Sequence, residues 1–534
     1  MKKNILKIII IAACFTFVLV ISLVQLKKAP EERNPNEENS SEGKSEEADV
    51  SEEHAEPEEV TEEIELVNNP DLRILITSSD FSNDIHEKVK VTSDEAFKLL
   101  GEDGTLYAEY NAWEIIDLDD FGLKEGENLI FESQSKMSVL SLSRAQGTPE
   151  YYGKLQIYKE DGGYSIINIV PLEKYLLTVV PSEMLSTYPL EALKAQAICA
   201  RSYAYHYVVN SSGLLHDAHM NDSTDFQVYN NIQETDTTNR AVQETEGMIL
   251  TEAGIPVPTY FFSTSCGFTT NETVWKEYFG GMEIEPGETP KVAYQAGSNE
   301  EHREIRFESV TVAEPQAVET MSTGMSVGIL YTADALVQEQ NFRAYITSDA
   351  WDFLEAEEQW YRWSYHGSID SAVIGERLAA RYAVRPDLIL TLDETDENYV
   401  NQPIETIGTV TNIEVVKRLP GGVADELKIE TTQNSYLVIG EYNIRYVLSD
   451  GVSEIIRNDG TAVTVSSLLP SAYFIIEPET ESPEGIKEIY LIGGGYGHGV
   501  GMSQNGARQA ALRGMDCEDI LELFYKGLEL RKIK

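Results

Sequence analysis

One glutamate stands out for its setting. Glu183 follows Val179-Val180-Pro181-Ser182 and precedes Met184, so its neighbours are largely apolar. An apolar environment disfavours the ionised carboxylate, raises its pKa and keeps the group protonated near neutral pH. A protonated carboxyl can pass its proton to a glycosidic oxygen as that bond breaks. Most glycosidases pair two carboxylates. A lytic transglycosylase manages with one: the sugar's own 6-hydroxyl attacks C1, and the same carboxyl acts first as acid and then as base. The plainer alternative is a solvated glutamate in a turn, since perturbed carboxyls are a minority.

Near the C-terminus Gly495, Gly497, Gly499 and Gly501 alternate with Tyr496, His498 and Val500. Glycine admits positive φ and lets other groups approach the backbone closely. The run matches neither G-x-G-x-x-G nor a GK[ST] phosphate loop, which argues against a nucleotide site. His498 is an acid/base or ligand-binding candidate, or else a packed, hydrogen-bonded histidine. His216 and His219 make an H-x-x-H, a weak metal signal; lacking other clear ligands, they read as exposed loop histidines. The four cysteines, Cys14, Cys199, Cys266 and Cys517, contain no C-x-x-C. Neither a zinc ribbon nor a thioredoxin motif is supported, and no metal or cofactor is expected.

The elements that must position these groups can be read from periodicity. Leu172, Tyr175, Leu176, Val179 and Val180 recur at helical spacing after Pro171. Pro181 should stop or bend that helix, and a second should start near Pro189, with Leu190, Leu193, Ala197, Ala200 and Ala204 on one face. Glu183 then falls at a helix–helix break, where a side chain can face a cleft. Strands are expected at Leu72–Ile76, Leu129–Phe131, Leu155–Tyr158 and Tyr164–Ile167, with Asp161-Gly162-Gly163 as a hairpin turn. Others are expected around 247–250, 259–262, 410–415, 426–429 and 472–475. Residues 281–345 look irregular. A helix carrying Ile374, Leu378 and Tyr382 follows, and a last one begins near Ser503, a suitable N-cap. The pattern is α+β, without regular βαβ alternation or a fixed repeat.

The chain has 534 residues, enough for two or three domains. Its 41 Lys+Arg against 90 Asp+Glu give a net charge of -49. Nucleic-acid binding needs a basic footprint, and none is visible. Ile5 to Leu26 is almost wholly apolar after Lys2-Lys3, and Ile8 to Val24 is about long enough to cross a bilayer. An uncleaved single-pass anchor with a cytoplasmic N-terminus is expected, rather than a cleaved signal peptide. Glu31 to Glu65 is dominated by Glu with Ser, Asn and Pro. It cannot bury enough surface to offset its ordering entropy and should form an extended, disordered stalk. The expected layout is an anchor at 1–28, an acidic linker at 29–68, a β-rich part at 69–165 and a larger domain at 166–534 with a long insertion around 281–490.

Three segments carry a family resemblance. The first runs from Val179 through Glu183-Met184 to Glu191-Ala-Leu-Lys-Ala-Gln-Ala-Ile-Cys-Ala-Arg-Ser-Tyr203. The second is Ser263-Thr-Ser-Cys-Gly267, and the third is Gly495-Tyr-Gly-His-Gly-Val-Gly-Met-Ser-Gln-Asn-Gly-Ala507. In this order they closely resemble the SpoIID/LytB family over roughly residues 165 to 530. The resemblance implies a SpoIID-like mixed fold, with a helical catalytic segment in β-rich surroundings, working outside the cytoplasm on peptidoglycan glycan strands. It places the family's catalytic acid/base on Glu183. It offers Gln196, Arg201, Ser263, Thr264, Ser265, Tyr496, His498 and Gln504 as cleft-lining groups for sugar hydroxyls, N-acetyl groups and the lactyl carboxylate. SpoIID is a lytic transglycosylase of sporulation engulfment, acting on strands whose stem peptides a partner amidase has removed. LytB-type members instead recruit or stimulate an amidase. Some members bind zinc just before a Q-V-Y; here Asp225-Phe226 precede Gln227-Val228-Tyr229, so that site is not implied.

Overall fold

The computed structural model describes residues 66–210, 212–275, 331–348, 353–393, 395, 398–464, 467–477 and 484–533. The expected anchor at 1–28 lies outside these residues, as does the acidic linker apart from 66–68. Among the described residues no helix is long and apolar enough to cross a membrane.

The first expected strand forms at Asp71–Ile76, with Leu72, Ile74, Leu75 and Ile76 fully buried. It pairs antiparallel with Gly163–Pro171 and parallel with Met220–Asn221. These three belong to a seven-stranded sheet, continued by Lys154–Glu160, Asn128–Ser133, Phe97–Leu100 and Leu106–Tyr110. The hairpin at 161–163 forms as its turn residues require: Glu160 faces Gly163, and Gly162 adopts φ 86°. Just past the ends of strands Met220–Asn221 and Asp71–Ile76, Asp222 forms a buried ion pair with Arg144 at 2.5 Å. Thr77 donates to the same carboxylate through its backbone N–H and its hydroxyl, which supplies the hydrogen bonds a buried charge needs.

Strand Gly163–Pro171 runs straight into helix α1, Leu172–Glu183. Its apolar stripe is the expected one, and it is buried. The helix does not stop at Pro181 but runs on to Glu183. Proline lacks the N–H that would close on the preceding turn, but so near the helix end only one bond is lost. Met184 N–H still reaches Val180 O at 3.0 Å, and the Ser182 hydroxyl holds Thr178 O at 2.6 Å. Glu183 is therefore the last helical residue, and the extended Met184 turns the chain away. Helix α2, Leu190–Val209, is buried on nearly every side from Ala192 to Tyr205, as expected of a helix that runs through a core. Helix α3, Asp236–Glu244, opens with a capping box between Thr235 and Thr238.

The described part of the long middle region is regular. Helix α4, Glu339–Ile346, ends the stretch expected to be irregular; the rest of that stretch up to 330 lies outside the described residues. One five-stranded sheet has the order Ala462–Thr464, Glu454–Arg457, Trp363–Ser368, Glu488–Gly493, Phe474–Ile476. A second has Asn398–Val400, Ile389–Asp393, Ser435–Ile439, Ala424–Thr431, Val410–Arg418. Helices α5, Ser371–Val384, and α6, Glu441–Leu448, accompany them. The chain ends with α7, Gln504–Leu512, then α8, Cys517–Phe524, and a strand, Glu529–Lys532, that pairs with Met248–Glu252. The α+β expectation holds. The described residues gather into one compact unit, and the main apolar core reaches from Leu72 to Ile533, with two small satellites around Leu75 and Leu388.

Candidate active site

Glu183 ends α1 with its carboxyl buried, yet the residue keeps some solvent-accessible surface. Burial raises its pKa to about 7, and the Val228 N–H, donating to Oε1 at 2.6 Å, offsets part of that rise. The Gln227-Val228-Tyr229 segment thus holds the glutamate. Gln227 is itself tied to α2 by a 3.0 Å bond from its amide to Ala200 O. A carboxyl that is half protonated near neutrality can both give and take a proton.

The N-terminus of α7 draws the three sequence segments together. Ser503 caps it, accepting the Gly506 N–H. Gln504 donates to the backbone carbonyl of Glu183 at 3.1 Å and to Gln196 Oε1 at 3.4 Å. Asn505 N–H donates to Ser263 O at 2.9 Å, and its side-chain amide donates to Thr264 Oγ1 at 2.9 Å. The Tyr188 hydroxyl, from the turn after Glu183, donates to Asn505 Oδ1 at 2.6 Å. Thr264 and Tyr496 exchange backbone hydrogen bonds of 3.1 and 2.8 Å. Glu183, Ser263, Tyr496, His498 and Gln504 all keep accessible surface in this assembly.

A second buried carboxyl, which sequence reasoning missed, underlies the same junction. Glu355 is fully buried. It accepts from Ser265 N–H at 2.9 Å, from the Ser265 hydroxyl, and from the Ser503 hydroxyl at 2.5 Å. Burial raises its pKa to about 7, against the pull of those bonds. It lies in a Glu-rich stretch that looks like a solvated charge run. Only its separation from the following aromatic cluster, Trp360-Tyr361-Arg362-Trp363, by a few residues hinted at a buried environment. Tyr188, Asn505 and Val228 were also missed; Asn505 could have been found, since it follows Gln504 within the third segment.

Four expected cleft-lining residues serve neighbours instead. Arg201 is fully buried; its guanidinium forks onto Glu173 at 2.7 and 2.9 Å and donates to the carbonyls of Val242 and Met248. It braces α2 and does not face a cleft. Gln196, Thr264 and Ser265 are likewise buried and act on the residues just named. His498 is the packed histidine of the plainer alternative. Its Nε2–H donates to Phe261 O at 3.0 Å, Nδ1 accepts Val500 N–H at 3.1 Å, and burial lowers its pKa to about 4. His216 and His219 are not exposed loop histidines: His216 bonds Glu160 at 2.6 Å and stacks on Tyr158, and His219 Nδ1 accepts the Arg73 N–H. Among the described residues no group of three His, Cys, Asp or Glu could hold a metal ion.

Comparison with known proteins finds similarity in two stretches of the chain that contribute to this site. Residues 160–251 match the Stage II sporulation protein family, SpoIID. Residues 312–501 match a domain of unknown function, DUF8618. The chain is 26% identical over 354 residues to the amidase enhancer of Bacillus subtilis, covering 66% of this chain and 39% of that protein. It is 38% identical over 125 residues to the stage II sporulation protein D of Bacillus subtilis, covering 20% of this chain and 35% of that protein. It is 33% identical over 163 residues to an uncharacterized protein of Brachyspira hyodysenteriae, covering 29% of this chain and 42% of that protein. The chain thus spans less than half the length of each of these relatives.

Proposed function

We propose that this chain, which carries a SpoIID-family segment over residues 160–251, is a peptidoglycan lytic transglycosylase that cleaves MurNAc–GlcNAc bonds, with Glu183 as its acid/base. The observation that carries the reading is a partly accessible Glu183 whose carboxyl is raised to about 7 by burial, at the point where all three sequence segments meet. Protonated Glu183 gives its proton to the glycosidic oxygen as the C1–O bond breaks, so the departing sugar leaves as a neutral alcohol. The MurNAc 6-hydroxyl then bonds to C1, and its proton returns to the Glu183 carboxylate. The product is a 1,6-anhydro end, no water is consumed, and the enzyme regains its starting state. Val228 N–H holds Oε1 and Gln504 holds the Glu183 backbone, so the carboxyl is positioned before substrate arrives. Among the accessible residues, Ser263 and Tyr496 are the groups for sugar contacts, since His498 and the Gln504 amide are engaged on neighbours. The substrate is a glycan strand stripped of stem peptides, and the apolar run from Ile5 to Leu26 would tether the globular part on the outer face of the cell membrane, in sporulation engulfment or wall remodelling.

One observation favours a second reading. The match to the amidase enhancer covers 66% of this chain, against 20% for stage II sporulation protein D. The chain would then bind the wall and stimulate an N-acetylmuramoyl-L-alanine amidase without cutting strands itself. The test is incubation of the wild-type chain and Glu183→Gln with intact and with peptide-stripped peptidoglycan, followed by mass spectrometry. Anhydro-glycans from the wild type alone support the transglycosylase. No product from either, with strand binding retained, supports the amidase partner.

A further inference from the structure

Residues 312–501 match a domain to which no function is assigned, yet their described part, from Tyr331 onward, packs at the site and includes its Tyr496 and His498. Glu355 bolts them there: it holds Ser265 of the second segment and Ser503 at the N-terminus of α7. Shortly after it comes Trp360, whose ring meets that of Tyr496 at 4.6 Å between centroids, inclined at 45°. Tyr496 is 37% exposed and Trp360 is partly exposed. Exposed aromatic rings occur elsewhere on this chain, Trp113 among them at 66%, so exposure alone decides nothing. This pair differs in its support. Gly495 N–H donates to Trp360 O at 2.8 Å, and Trp363 Nε1–H donates to Gly495 O at 3.1 Å. The backbone of Tyr496 is fixed on Thr264 from both sides. The Arg457 guanidinium lies 5.4 Å from the Trp360 ring centre and is itself held by Gln359 and Thr461. The two rings are set in place before any ligand binds.

We propose that the Trp360–Tyr496 pair is a sugar subsite, a platform on which a pyranose ring of the glycan strand stacks, and that building it is a role of the 312–501 region. The C–H bonds on one face of a pyranose carry partial positive charge and match the negative face of an aromatic ring. The platform is continuous with the catalytic group through Thr264, Asn505, Gln504 and Glu183, each bonded as described above. Stacking also suits a chain with a net charge of -49, because it grips a sugar without needing a basic surface. This inference rests on the glycan-strand reading of the site and assigns Trp360 no part in the chemistry.

The test is calorimetric titration of the full-length chain, purified in detergent, with a GlcNAc hexamer and with peptide-stripped strands. Trp360→Ala and Tyr496→Ala should each weaken binding about tenfold, the equivalent of one lost stacking contact of about 1.4 kcal/mol. Trp113→Ala should bind as wild type. Should Trp360→Ala fail to fold, Trp360→Phe carries the test: strand binding perturbs tryptophan fluorescence in the wild type, and that change should be lost while affinity is largely kept. Unchanged binding in both platform variants overturns the subsite, as does an equal loss in Trp113→Ala. A wild type that binds neither ligand overturns both this inference and the glycan reading. A wild type that binds through the platform but yields no anhydro product removes the transglycosylase alone.

Discussion

Glu183 and Glu355 are both raised to about 7 by burial, but their surroundings give them different tasks. Glu183 keeps accessible surface and accepts one backbone bond; Glu355 has no access and accepts three bonds from two serines. As general acid, Glu183 must begin protonated. Anhydro-product formation should therefore fall as pH rises through about 7, and Glu183→Gln should lose about two to four orders of magnitude at pH 5–6, a gap that narrows at higher pH as the wild type itself declines; product release measured from pH 5 to 9 checks both. The same shift bears on stability. The folded pKa lies above the ordinary 4.5, so the folded chain holds an extra proton between about 4.5 and 7, and stability is lost as pH rises through that window. Glu183→Gln, neutral throughout, should be the more stable protein at pH 8 by on the order of 1–2 kcal/mol and lose that advantage at pH 4. Urea midpoints at the two pH values read this out. Glu183 was legible because its sequence neighbours are apolar and buried, a local sign of the burial that raises its pKa. Glu355 was not, because the groups that bury it, Ser265 and Ser503, are far away along the chain. Arg201, offered by the resemblance as a cleft-lining group, has its guanidinium taken up by Glu173, a partner that no local pattern around Arg201 announces.

At the scale of elements, α1 and α2 were legible because their apolar spacing is local. The Gly-rich run was legible in kind, since Gly495, Gly497, Gly499 and Gly501 all adopt positive φ between 74° and 113°. What crowds each of them was not. A Cβ at Gly501 would collide with the carbonyl oxygen of Tyr260, and one at Gly497 would press on Phe262 at 2.9 Å. Backbone collision together with an unfavourable φ is among the mechanisms that give large losses. Gly501→Ala should cost about 3 kcal/mol or more and shift the start of α7, and with it Gln504. Gly104 has a similar φ of 79° but open space around it, so Gly104→Ala should cost only about 1 kcal/mol. Thermal unfolding of the two variants side by side separates crowding from backbone strain. The extension of α1 through Pro181 shows where a local rule gives way: near a helix end the missing N–H costs a single bond, and packing of Val179 and Val180 carries the last turn.

For the whole molecule, the pattern of strands and helices along the sequence indicated an α+β chain but could not assemble it. Strand Trp363–Ser368 pairs with Glu488–Gly493, and Phe261–Phe262 pairs with Met502–Ser503. Such pairings close long loops, and nothing local encodes them. They are nonetheless what brings the described part of 331–501 up to the site. Net charge, by contrast, is a whole-molecule property read directly from sequence, and it makes a prediction of definite sign. A peptide-stripped strand carries lactyl carboxylates, and this chain carries a net -49, so the two repel at long range. The Debye length shrinks from about 30 Å at 0.01 M salt to about 8 Å at 0.15 M. If the strand is held by stacking on Trp360–Tyr496 and by hydrogen bonds near Ser263, its affinity should rise severalfold across that range, while a neutral GlcNAc hexamer should bind equally at both. A basic track hidden in the cleft would reverse the first result, because bound anions would then weaken as salt screened them. The pair of titrations therefore tests whether the strand is gripped by its sugar faces or by its charge.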